Sequence, residues 1–173
     1  MSTVTKIIYL QGPVKFAKVF DFNRDKGKYA PKDGEYNISV GLSPKDFKVV
    51  KGWNRMYQGK VWDKLDKFYL PGDSKLTYVT FKRKHKHYKA DGESVISEWS
   101  GPPIVVNSVG DPWDDALIGN GSVCTVKLDV TTVDGRTFVR LDGVRVDEHV
   151  AYTSDGEERE PPVEVNMTDG IPF

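Results

Sequence analysis

Alternation of apolar and polar residues with a period of two recurs along this chain, whereas helical spacing occurs once. Tyr36, Ile38, Val40 and Leu42 alternate with Glu35, Asn37, Ser39 and Gly41. This is the pattern of a half-buried strand whose side chains point to two faces in turn. Val14, Phe16, Lys18, Phe20 and Phe22 repeat it inside a β-rich stretch from Thr3 to Phe22, read as one long strand interrupted near Pro13. Further strands are expected over Lys75 to Lys89, turning at Ala90-Asp91-Gly92 toward an arm of Val95 to Trp99, and over Ile104 to Val106. A hairpin of Val123 to Thr132 and Thr137 to Val146 is expected around Asp134-Gly135. The helix signal is Ser43-Pro44, a capping serine before a proline at the first helical position, followed by Phe47, Val50, Trp53 or Asn54, and Tyr57 at helical spacing. It predicts a helix from Pro44 to about Tyr57, and a basic, aromatic connector then leads to Pro71-Gly72-Asp73. Strands not regularly separated by helices fit a small closed or partly open five-stranded barrel better than an α/β fold. An immunoglobulin-like sandwich would ordinarily lack the helix between its second and third strands.

Charge divides the chain in two. Residues 1 to 90 carry 20 Lys and Arg against 8 Asp and Glu, and residues 91 to 173 carry 5 against 17, so a formal net charge of zero conceals halves of +12 and −12. A basic half can present a positive face to a polyanion while an acidic segment supplies the balance. The longest purely apolar run, Ile7 to Leu10, is far short of the ~20 residues of a membrane-spanning helix. A soluble, cytoplasmic protein without membrane association is expected. One cysteine, Cys124, excludes an internal disulfide and reads as a buried strand residue.

The basic half concentrates in one strand. From Leu76 to Tyr88 a period of two places Tyr78, Thr80, Lys82, Lys84, Lys86 and Tyr88 on one face, and Val79, Phe81, Arg83, His85 and His87 on the other. Cations track a phosphate backbone and aromatic planes accept unstacked bases, so the first face is a candidate nucleic-acid surface. Phe81 is core or platform depending on whether a bulge reverses the strand, and Arg83 joins the candidate set as a further cation. Tyr29, Lys26 and Lys28 in the preceding loop can form groove lips. A metal at His85-x-His87 would sit among Arg83, Lys84, Lys86 and Lys89, which repel it.

The chain ends in an acidic segment. Between Asp155 and Phe173 lie Asp155, Glu157, Glu158, Glu160, Glu164 and Asp169 against Arg159, with Pro161-Pro162 opposing regular structure. Such a segment cannot offset its ordering entropy by burial, so residues 1–151 are expected to form the domain and 152–173 a disordered tail. Its apolar cluster sits at the extreme tip, Asp169-Gly170-Ile171-Pro172-Phe173. That tip resembles the tails of bacterial single-stranded DNA-binding proteins, which dock on replication and repair partners. The body resembles phage OB-fold single-stranded DNA-binding proteins through Gly34-Glu35-Tyr36-Asn37-Ile38-Ser39-Val40, Tyr78-Val79-Thr80-Phe81 and Ile118-Gly119-Asn120-Gly121-Ser122. The resemblance implies a phage replication, recombination or repair protein that coats single strands largely without sequence preference. It implies that Tyr78 stacks on a base, that Lys32 and Lys6 meet phosphate, and that Asp169, Ile171, Pro172 and Phe173 contact a protein partner. A homodimer is compatible with it, and no cofactor is called for.

Two other functions share these residues. An OB-fold RNA-binding or chaperone protein would use the same face and differ in tolerating the 2′-hydroxyl. A small Mg²⁺-dependent nuclease would use Asp111, Asp114 and Asp115. No phosphate-binding Gly-Lys-Ser/Thr loop, zinc spacing or His-paired nucleophile is present, so no enzyme is expected.

Overall fold

The computed structural model describes residues 3–28, 30–53, 60–62, 75–114 and 116–152, with the side chains of 60–62 left undescribed. The elements are β1 (Thr3–Lys18), β2 (Glu35–Leu42), α1 (Pro44–Lys51), β3 (Lys60–Trp62), β4 (Thr77–Lys84), β5 (Ile104–Val106), β6 (Val123–Val133) and β7 (Arg136–Glu148), with one-turn 3-10 segments at Asp21–Asn23 and Ser97–Trp99. They form a sheet of order β3-β4-β2-β1-β6-β7-β5. Within it β4-β2-β1-β6-β7 is the strand order of an OB barrel, β4 coming against β7 without a shared ladder. The expected mainly β fold with one short helix is observed. The tail expected after 151 lies outside the described residues beyond Tyr152.

The long first strand serves two neighbours because it bends. Residues Thr3 to Pro13 pair with β6, and Val14, Lys15 and Lys18 pair with β2. Between Lys15 and Lys18 the register shifts, and Phe16 takes φ 54°, a left-handed conformation uncommon for an aromatic residue. Its N–H donates to Asn120 Oδ1 at 2.8 Å. Around that asparagine, Gly121 N–H donates to the Val14 carbonyl and Gly119 N–H to that of Val150. The Ile118-to-Ser122 motif thus pins the bulge of β1 to the end of the barrel. At the β1–β2 crossing a Cβ on Gly12 would run into the Gly41 carbonyl oxygen, so only glycine allows the approach.

Leu10, Val14, Ile38, Val40, Leu42, Val79, Phe81, Val126, Leu128, Leu141 and Val144 fill the interior together with Cys124, whose thiol burial pushes well above its usual range. Ser43 caps α1 by accepting the Asp46 N–H at 3.3 Å, and Val50 is its buried residue. The helix ends at Lys51 with Gly52 as its cap, and the expected continuation toward Tyr57 lies outside the described residues from 54 on. The Asp134-Gly135 turn has φ of 51° and 78°, both positive as a two-residue hairpin of this hand requires.

Three expectations are corrected. Strand β2 is buried on both faces instead of half-buried, because its outer side is covered: Ser39 hydrogen-bonds Thr80 at 2.8 Å, and the Tyr78 ring lies over Gly41. The basic strand ends at Lys84, since its partner β2 begins at Glu35; beyond it, Tyr88 and Val95 form an isolated bridge and Ser97–Trp99 folds as a 3-10 turn. The connector contains β3, whose Val61 pairs with Val79 at the sheet edge. Its three residues are too few to show alternation.

The seam between β4 and β7 is closed by side chains. Arg83 donates to the carbonyls of Gly101, Glu98 and Ser100 at 2.8, 3.1 and 3.0 Å and to Asp142 Oδ1 at 3.0 Å. Arg140 Nε reaches the same Oδ1 at 3.0 Å. Replacing Asp142 with alanine leaves the buried Arg83 guanidinium without its counter-charge and is expected to cost about 3 kcal/mol. Denaturant unfolding with an unchanged m-value checks this, and a loss below about 0.5 kcal/mol, the level of an ordinary surface change, contradicts it.

Candidate nucleic-acid interface

The closed seam forms the floor of a groove of about 780 Å³. One wall is the end of β4 with its following loop, contributing Lys82, Lys84, His87 and Trp99. The other is the outer face of the β6–β7 hairpin, contributing Asp129, Thr131, Phe138 and Arg140. Register explains the second wall: Thr131 lies opposite Phe138 and Asp129 opposite Arg140, so all four share the face that Val139 and Leu141 do not.

Aromatic and cationic groups alternate around this groove. Trp99 is met edge-on by His87, ring centroids 5.0 Å apart, and the Arg140 guanidinium lies 4.9 Å from its ring centroid. Phe138 stands across the groove and is 38% exposed, so its ring is open to a ligand there. Arg140 is oriented by Asp129 at 2.9 Å and Asp142 at 3.0 Å. Burial, then the neighbouring Lys84, Arg140 and Arg83, lowers the His87 pKa, so its imidazole is neutral at pH 7. Lys84 is exposed and Lys82 half-exposed, the latter with Glu35 Oε1 at 3.9 Å.

The residues singled out from the sequence separate into three groups. Lys82 and Lys84 line the groove. Lys86 and Lys32 are exposed beside it in sequence, next to the lining residues His87 and Pro31. Tyr88 donates to Asp33 Oδ2 at 2.6 Å, which holds the Asp33 carboxyl below and the Tyr88 phenol above their ordinary pKa values and latches the β1–β2 loop to the end of β4. Tyr36 does the same from β2. Its hydroxyl is 2.7 Å from His85 Nδ1 and donates to Asp21 Oδ1 at 3.2 Å, and burial followed by that carboxylate pushes its pKa up to about 12.

The second group sits elsewhere. Tyr78 is 3% exposed, its ring enclosed between Gly41 and the Lys15 ammonium, which lies 4.3 Å from its centroid. Phe81, 1% exposed, is core, as a regular strand requires. Arg83 is spent on the seam. Lys6 is exposed on the N-terminal half of β1 opposite Val130 and does not line the groove. The third group, Tyr29 and the tip residues Asp169, Ile171, Pro172 and Phe173, lies outside the described residues. Among the described residues no three His, Cys, Asp or Glu side chains gather as a metal site; Asp114 Oδ1 accepts the Ala116 N–H, and Asp115 is outside them.

Trp99, Phe138 and Arg140 were not singled out from the sequence. A signal existed: in Thr137-Phe138-Val139-Arg140-Leu141 the aromatic and the arginine share one parity and the aliphatics the other, the same aromatic-cation alternation that marked β4.

Burial raises the Glu35 pKa, more than Lys82 lowers it. An acid whose folded pKa lies above its unfolded value destabilises the fold once ionised, and this cost is absent below the unfolded carboxylate pKa and complete above the folded one. Glu35→Gln is therefore expected to raise the thermal midpoint at pH 7 and leave it unchanged near pH ~3, below the ordinary carboxylate range. Equal midpoints at pH 7 contradict this.

No protein-family model and no curated protein sequence matches the chain. Among solved structures it is similar to gp2.5, a single-stranded DNA-binding protein encoded by bacteriophage T7, with a TM-score of 0.54 and 16% identity over 87% of this chain and 91% of that one. It is also similar to the single-stranded DNA-binding protein of bacteriophage Enc34 in complex with single-stranded DNA, with a TM-score of 0.50 and 13% identity over 81% of this chain and 85% of that one. The chain thus has the fold of phage-type single-stranded DNA-binding proteins.

Proposed function

We propose that this protein binds single-stranded DNA in the groove between β4 and the β6–β7 hairpin, largely without reading sequence, in phage DNA replication, recombination or repair. The carrying observation is the pairing of Trp99 and the exposed Phe138 with Lys82, Lys84 and Arg140 around one groove. Flat aromatic faces accept unstacked bases, and the cations follow the phosphates. Lys32 and Lys86 extend the positive path beyond the groove, and Lys6 on the N-terminal half of β1 is a further phosphate contact of the proposal. The fold shared with two phage proteins that bind single strands supports this reading.

The acidic segment completes the proposal. Its charge opposes that of the basic half, and its tip, Asp169, Ile171, Pro172 and Phe173, is the docking element for replication and repair proteins. While DNA is absent the segment competes for the groove, and arriving phosphate displaces it.

Phe138→Ala is expected to weaken oligonucleotide binding by ~1–3 kcal/mol. Lys82→Ala and Lys84→Ala each reduce the slope of log affinity against log salt by roughly 0.7. Tryptophan fluorescence titration with a short single strand at several salt concentrations reads both; wild-type affinity and slope in all three variants would move the site off this groove. Deleting the residues after Ala151 is expected to tighten binding at low salt and to change it little at high salt. Unchanged low-salt affinity counts against self-competition.

A further inference from the structure

One group at the groove is not used by the barrel. Glu35 begins β2 opposite Lys84, and its backbone forms the bridge with Asp25, donating to the Asp25 carbonyl at 3.0 Å and accepting its N–H at 2.7 Å. Its side chain is 7% exposed, yet the nearest cation, Lys82 Nζ, stands 3.9 Å away, beyond hydrogen-bonding range. No described residue donates a hydrogen bond to its carboxylate. Every fully enclosed polar side-chain atom among the described residues has a partner, so these oxygens keep their contact with the groove that Glu35 lines. The other groove carboxylate differs. Asp129 is satisfied by Arg140 at 2.9 Å and by the Thr131 hydroxyl at 2.9 Å.

A nearly buried carboxylate without a protein donor is poorly solvated, and its raised pKa reflects that burial. The lost solvation is replaced when a ligand brings donors. We propose that Glu35 reads the edge of an unstacked base held in the groove, and that guanine is the base it favours. The inference rests on the single-strand reading above and adds a local preference to otherwise sequence-tolerant binding.

The chemistry selects guanine among the four bases. Guanine presents N1–H and N2–H side by side, and the two oxygens of one carboxylate accept both in its plane. Cytosine and adenine each offer one exocyclic amine beside a ring nitrogen acceptor, which faces the second oxygen unfavourably. Thymine offers N3–H between two carbonyls that the carboxylate repels. Phe138 supplies an open planar face in the same cavity, the Arg140-covered Trp99 a second aromatic surface, and Lys82 and Lys84 flank Glu35 where the adjoining phosphates run.

The test compares fluorescence titrations with a short oligothymidylate and with the same strand carrying one central guanine, inosine, cytosine or adenine; a lone guanine avoids quadruplex formation. The guanine strand is expected to bind at least about five-fold more tightly than oligothymidylate, with inosine, which lacks the N2 amine, in between. Glu35→Gln is expected to abolish the spread and, with one anion removed from beside Lys82 and Lys84, to bind oligothymidylate at least as tightly as the wild type, which also shows that the variant is folded. Equal affinities for all five strands in the wild type, or a guanine preference that survives in Glu35→Gln, overturn the assignment of Glu35 alone. Absence of binding to every strand overturns the single-strand reading with it.

Discussion

The groove stands on one guanidinium. Arg83 is the penultimate residue of β4, and its donors gather the carbonyls of Glu98, Ser100 and Gly101 together with the Asp142 carboxylate of β7. These parts belong to three segments that no strand ladder joins. Because Asp142 also holds Arg140, and Arg140 stacks on Trp99, the chain of contacts that closes the barrel also sets the position of the groove's tryptophan. Burial works against the charge of Arg83 and the carboxylate beside it favours that charge. A fixed planar fork suits this role better than a flexible ammonium would.

A partly open barrel makes such a seam unavoidable. β4 and β7 approach without sharing a ladder, and the side chains above the closure spread into two walls. One wall inherits the lysines of β4, the other the outward parity of the β6–β7 hairpin. The β1–β2 loop is fastened beside them by the Tyr88–Asp33 and Tyr36–His85–Asp21 contacts. Lys32 is thereby carried on a segment tied at both ends, and Pro31 contributes to the groove.

Much of the fold was legible because period-two alternation and turn chemistry are local. The spans of β5, β6 and β7, the Asp134-Gly135 hairpin and the Ser43 cap follow from residues within a few positions of one another. The site was less legible, for a physical reason seen in β4. Parity correctly places Tyr78, Thr80, Lys82 and Lys84 on one side, but parity does not say what covers that side. Gly41 and Lys15, remote in sequence, enclose Tyr78, and Ser39 meets Thr80, so only the Lys82–Lys84 end stays open. Trp99 reaches the groove through a 3-10 turn that carries no periodic signal. The buried position of Lys15, on a strand that bends at Phe16, was beyond any pattern of alternation.

The central claim is that a single strand lies between β4 and the β6–β7 hairpin. Amide hydrogen exchange measured with and without a short single-stranded oligonucleotide tests it most directly. The account predicts slowed exchange concentrated at residues 31–35, 82–88, 97–101 and 129–140, with any further slowing near Lys6. Slowing confined instead to the β1–β2 crossing and the Tyr78 end of β4, around residues 12–18, 39–42 and 76–80, would contradict it and return Tyr78 to the centre of the site.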